Sequence, residues 1–233
     1  MQGKLRSVIN ILDLSVNELE HLMDLADRIE EHPEEYRDRC RYKKLATLFF
    51  EPSTRTRLSF EAAMLELGGQ VLGFAGASSS SAAKGESVAD TIAVVSNYAD
   101  IITMRHPKEG APVVAAQNST VPFINAGDGG HFHPTQTLAD ILTVRRTCGK
   151  LEGLTLGLCG DLKFGRTVHS LIDAMLRYPK NRYILISPEE LRLPEYEIEK
   201  LRSSGAEFEE TTSLEDAIPK LDILYMTRVQ KER

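Results

Sequence analysis

Beyond a charged opening, short apolar runs alternate with helical patterns along nearly the whole chain. Residues 17–41 carry apolar positions at helical spacing between many charges and predict two charged amphipathic helices. Residues 45–50, 71–75, 101–104 and 121–124 are apolar without alternation, as strands are when both faces of their sheet are covered. Between them, residues 54–67, 87–98, 111–117 and 134–147 carry helical patterns. Gly68-Gly69 supplies a stop for the first, and Pro134 suits the opening turn of the last.

Cys148-Gly149-Lys150 closes that last helix, and a second alternation follows. It predicts strands at 155–159, 183–187, 207–209 and 223–227, and helices at 166–178, 195–203 and 213–218. Strand and helix in this rhythm predict an α/β fold with two domains, each a parallel sheet flanked by helices. The expected division is residues 1–133 and 150–233, with residues 134–149 as a connecting helix.

Composition narrows the functional classes. With 233 residues and 42% hydrophobic content, the chain can bury a core of that size. No apolar run approaches the ~20 residues that cross a bilayer, and the N-terminus has no secretory apolar stretch, so no membrane partner is expected. Cys40, Cys148 and Cys159 fit neither a disulfide framework nor a CxxC metal site, and point to a reducing cytoplasm. A net charge of −6 argues against nucleic acid. Local cationic points at Arg55/Arg57, Arg105, Arg166 and Arg228 suit a small anionic ligand instead, although any one of them alone reads as a surface charge.

The densest chemistry lies in Phe49-Phe50-Glu51-Pro52-Ser53-Thr54-Arg55-Thr56-Arg57. A buried strand runs into a turn and a helix begins at once, with Ser53 as the expected N-cap. First-turn N–H groups and the helix dipole favour an anion there. The hydroxyls of Ser53, Thr54 and Thr56 add donors, and Arg55 adds a fork that matches phosphate. His133 and Gln136 stand three apart at another helix start, on one face. Arg105 ends a strand, the edge at which open parallel sheets bind ligands.

The Phe-Glu-Pro-Ser-Thr-Arg-Thr-Arg run resembles the phosphate loop of the carbamoyltransferases, in the form used by the aspartate-specific branch. Met104-Arg105-His106-Pro107, His133-Pro134-Thr135-Gln136, the segment from Gly160 to Ser170 and Tyr225 to Arg233 resemble that branch in the same order. The resemblance implies carbamoyl transfer from carbamoyl phosphate to the amine of L-aspartate, an early step of pyrimidine biosynthesis. It implies that Ser53, Thr54, Arg55, Thr56 and Arg105 hold the phosphate. Thr56, Arg105 and His133 would stabilise the oxyanion, and Gln136 would hold the carbamoyl nitrogen. Arg166 and Arg228, assisted by Gln230, would bind the two carboxylates of aspartate. Lys84 and a serine of the 78–81 run, Ser80 or else Ser81, would reach into a neighbouring subunit's site, implying a homotrimer with shared sites. Regulatory chains occur with some family members. Relatives continue beyond residue 233 with a further loop, a His-Pro-Leu-Pro segment and a helix, so the second domain is expected to be incomplete here.

Rival readings are an ornithine-using carbamoyltransferase and a P-loop enzyme. The stretch from Gly160 to Thr167 has the P-loop spacing, but Arg166 stands where that motif needs Lys. No G-x-S-x-G elbow, HExxH pair or cysteine cluster is present, so direct transfer without metal or cofactor is the expectation.

Overall fold

The structure, a computed structural model, describes residues 6–77 and 81–227. Among the described residues, eight strands form two parallel four-stranded sheets. The chain divides into two compact units, one ending at Thr135 and the other beginning at Gln136.

In the first unit the strands are β1 (Lys44–Phe49), β2 (Gln70–Ala75), β3 (Ile101–His106) and β4 (Phe123–Asp128), in the order β2-β1-β3-β4. The helices are α1 (Val16–Glu31), α2 (Thr54–Glu66), α3 (Val88–Val95) and α4 (Ala111–Asn118). Ala46 and Leu48 of β1, Ile102 and Met104 of β3, Phe123 of β4, Ile92 of α3 and Ala115 of α4 form one buried cluster. Val8 bridges to Ile124 beside β4. One helix, not two, occupies the expected 17–41 span. Ser15 caps α1 in a reciprocal pair with Glu18, and the helix stops before His32-Pro33. A residue preceding proline is pushed out of the helical region, and only a short 3-10 turn, Pro33–Glu35, follows.

Helix α5 (Pro134–Cys148) begins in the last residues of the first unit, and most of it counts with the second. The second sheet has strands β5 (Thr155–Cys159), β6 (Arg182–Ile186), β7 (Glu207–Thr211) and β8 (Ile223–Met226), in the order β7-β6-β5-β8. Its helices are α6 (Arg166–Met175), α7 (Glu195–Ser203) and α8 (Leu214–Ala217). No helix among the described residues is long and apolar enough to cross a membrane.

Both sheets share one topological device. The first strand of each unit lies inside its sheet: β2 is on one side of β1 and β3 on the other, as β6 and β8 flank β5. The chain therefore changes winding direction between β1 and β3, and again between β5 and β8. Crevices beyond the carboxyl ends of such strand pairs are where open α/β sheets take ligands.

Candidate active site

Residues 50–53, which follow β1, are anchored to the end of β3 through the backbone. Phe50 N–H donates to the Arg105 carbonyl at 2.9 Å, and Gly76 N–H donates to the Phe49 carbonyl at 2.6 Å. Ser53 holds the N-cap position of α2 with extended backbone, as expected, but its hydroxyl makes no capping bond. The first-turn N–H groups of α2 thus keep their donor capacity without a side-chain cap. Thr54 and Arg55 are exposed, and among the described residues the Arg55 guanidinium has no partner. Arg57, two residues on, is committed elsewhere. Its Nε donates to Glu61 Oε1 at 2.6 Å, and that carboxylate also accepts from Thr47 Oγ1 at 2.9 Å.

Arg105, next to last in β3, is paired with Glu51 at 2.6 Å, and its Nε is buried with no partner among the described residues. The sequence assigned no part to Glu51. Its signal was a lone acid inside a cationic motif, and the structure makes it the counter-ion of Arg105. His106 beside it is buried, accepts Lys108 N–H at 3.0 Å on Nδ1 and packs against Phe50. Burial lowers its pKa from the ordinary histidine value.

His133 is buried at the end of a braced loop. Asp128, 1% exposed, accepts Phe132 N–H at 2.9 Å and Gly110 N–H at 3.0 Å, and it is bonded by Asn125 at 3.1 Å. Asn125 in turn donates to the Ile9 carbonyl and accepts Gly127 N–H. Gly129 has a positive φ of 54°, and a Cβ there would lie 2.7 Å from the Pro107 carbonyl. The loops after β3 and β4 are locked together at this point. Lys84 ends an exposed 3-10 turn, Ser81–Lys84, and its ammonium has no partner among the described residues. Ser80 lies outside the described residues.

In the second unit, residues 160–165 link β5 to α6. Gly160 has a φ of +115°, and a Cβ on it would meet Thr227 Oγ1 at 2.4 Å. That hydroxyl accepts Asp161 N–H at 2.7 Å and donates to the Cys159 carbonyl at 3.1 Å. The buried ring of His169 contacts the Leu162 carbonyl through Nε2 at 2.8 Å, so Nε2 carries the proton. Arg166 opens α6. Arg228 and Gln230 lie outside the described residues. Gln136, in the first turn of α5, is exposed and donates from Nε2 to Asp140 at 2.9 Å. The sequence did not flag Asp140. Among the described residues, no three of His, Cys, Asp and Glu are grouped to hold a metal ion.

Each unit therefore presents cationic and hydroxyl-bearing residues at or beyond the carboxyl ends of the two strands that flank its switch point: Ser53–Thr56 and Arg105 in one, Arg166 and Thr227 in the other. Comparison with known proteins gives this arrangement a family. Residues 6–146 match the family model for the aspartate/ornithine carbamoyltransferase, carbamoyl-P binding domain. The aspartate carbamoyltransferase catalytic subunit of Lachnoclostridium phytofermentans is 63% identical over 230 residues, covering 98% of this chain and 75% of that protein. The one from Clostridium novyi is 62% identical over 233 residues, covering 100% of this chain and 76% of its own length. Among solved structures, the catalytic subunit of M. jannaschii aspartate transcarbamoylase superposes with a TM-score of 0.92 at 47% identity, over 98% of this chain and 76% of that one. The Trypanosoma cruzi aspartate transcarbamoylase in complex with N-(phosphonacetyl)-L-aspartic acid gives 0.91 at 37% identity, over 99% and 76%. The chain belongs to the aspartate/ornithine carbamoyltransferase family.

Proposed function

We propose that this chain transfers the carbamoyl group of carbamoyl phosphate to the amine of L-aspartate, releasing N-carbamoyl-L-aspartate and phosphate in pyrimidine biosynthesis. The observation that carries the reading is the uncapped start of α2, with Thr54, Arg55 and Thr56 on it and Arg105 ending the strand across the switch point. The named relatives support the choice of aspartate.

The amine lone pair of aspartate attacks the carbamoyl carbon. A C–N bond forms and the carbonyl electron pair moves onto oxygen. The tetrahedral species then collapses, the carbon–oxygen bond to phosphate breaks, and the amine proton leaves with the phosphate. Ser53, Thr54, Arg55 and Thr56 hold the phosphate, and Arg105 joins them. An anion at Arg105 competes with Glu51 for the same guanidinium. Thr56, Arg105 and His133 stabilise the oxyanion, work that preorganised donors do best where water is excluded. Gln136 takes the carbamoyl nitrogen, Arg166, Arg228 and Gln230 take the aspartate carboxylates, and domain roles follow: phosphate in the first, aspartate in the second.

Lys84 and Ser80 act on a neighbouring chain's ligands within a homotrimer. An exposed, unpartnered Lys84 supports this, as do Leu58 and Leu65 of α2, 58% and 59% exposed. The relatives' name, catalytic subunit, supports a regulatory chain as a further partner. Three free cysteines support a cytoplasmic setting. The deciding assay supplies carbamoyl phosphate with either aspartate or ornithine. Carbamoyl-aspartate is the expected product; turnover with ornithine alone, or with neither, overturns the reading.

A further inference from the structure

Asp140 lies one helical turn beyond Gln136 on α5 and is half-buried. Its Oδ1 accepts Gln136 Nε2 at 2.9 Å, and its Oδ2 accepts the Tyr225 hydroxyl at 3.0 Å. A line of bonds therefore runs through the second unit from Gln136 on α5 to Tyr225 on β8.

A Gln–Asp pair at this spacing on a helix ordinarily contributes only ~0.2–0.5 kcal/mol to the helix itself. Tyr225 changes its meaning. A hydroxyl from another element fixes the second carboxylate oxygen, so the carboxylate cannot turn with the helix surface. An ionised carboxylate only accepts hydrogen bonds. It therefore sorts the two ends of the Gln136 amide, drawing the NH2 toward itself and turning the carbonyl oxygen away. Burial pushes the Asp140 carboxyl upward from the usual range, while the bonds from Gln136 and Tyr225 favour its charged form.

We propose that Asp140 is a positioning residue that presents the Gln136 oxygen as an acceptor for the N–H of a carbamoyl group, and so selects carbamoyl phosphate over acyl phosphates that lack that N–H. The inference rests on the carbamoyl-transfer reading and deepens it. It assigns the selectivity to a pair of oxygens on the next helical turn rather than to Gln136 alone.

Acetyl phosphate is the matched probe, since a methyl group replaces the amino group at similar size. Asp140→Asn can show Gln136 either a donor or an acceptor, so the sense of the amide is no longer imposed. The binding of carbamoyl phosphate and of acetyl phosphate is measured by calorimetry on the wild-type chain, D140N and Y225F. D140N is expected to weaken carbamoyl phosphate about tenfold, the scale of one lost net hydrogen bond, and acetyl phosphate less than about twofold. Y225F, which only loosens the carboxylate, should move the same ratio about two- to threefold. Equal weakening of both ligands, or no change in either, overturns the proposal. A wild-type chain that does not bind carbamoyl phosphate defeats the functional reading itself. Should D140N fail to fold by thermal melting, the ratio in Y225F decides alone.

Discussion

The turn from β1 into α2 and the turn from β5 into α6 hold matching places in their sheets and lean on side chains to different degrees. The first is short and tied down by backbone bonds to the neighbouring strand. Helix α2 behind it buries a single residue, Met64. The second is longer: Gly160 and Leu162 N–H donate to the Ile186 and Leu191 carbonyls, and side chains add to this, with Thr227, Asp161 and His169 each bonding part of it. Helix α6 behind it is buried from Val168 to Met175. A turn held chiefly by its backbone can leave side chains such as Arg55 free to meet a ligand. A turn that also leans on side chains such as Thr227 depends on residues far away in sequence, so distant substitutions reach it.

The contrast is broken most severely at Arg55. Arg55→Ala should lower kcat/KM for carbamoyl phosphate at least ~100-fold, as loss of a preorganised donor does, with the melting temperature held because α2 buries so little there. Near-normal turnover would sink the phosphate assignment. Next is Gly160→Ala, where a methyl must enter a space 2.4 Å from Thr227 Oγ1 at a positive φ. A loss of about 2 kcal/mol in denaturant unfolding is expected, together with a raised KM for aspartate. An unperturbed second unit would mean that Thr227 does not hold the loop. The smallest effect belongs to Ser53→Ala. Capping serines ordinarily contribute ~1 kcal/mol, but Ser53 makes no cap bond. Stability should move less than that while phosphate affinity drops several-fold in a titration. A full capping loss would mean that Ser53 caps the helix in solution.

Much of this was legible before any coordinates. Most strands were readable because parallel strands covered on both faces leave continuous apolar runs, whereas β7, with three glutamates in Glu207–Thr211, was readable only from the rhythm of the elements around it. Strand β5 and helix α7 fall on the expected residues. The start of α2 was visible because hydroxyls and arginines crowd one strand-to-helix turn. What escaped was set by distance or by proline. Pro33 ended the first helix, where charge periodicity suggested that a second would follow. Strand β4 runs on to Asp128 through Asn125, polar residues whose burial depends on the loops they brace. Glu51 and Asp140 were given no part, since Arg105 and Tyr225 are remote in sequence. The roles of Ser80, Arg228 and Gln230 fall outside the described residues.

The interior placement of β1 and β5 also has a consequence in time. As the chain leaves the ribosome, β1 gains β2 early, but its other edge pairs only when Ile101 and its neighbours arrive opposite Leu45. Strand β5 waits longer, because Leu156 meets its second partner at Ile223. Throughout that interval a buried strand of the second unit travels with one bare edge, the condition under which strands pair with the wrong partner. Conditions that slow synthesis between β7 and β8 should therefore lower the yield of folded protein more than an equal delay within the first unit.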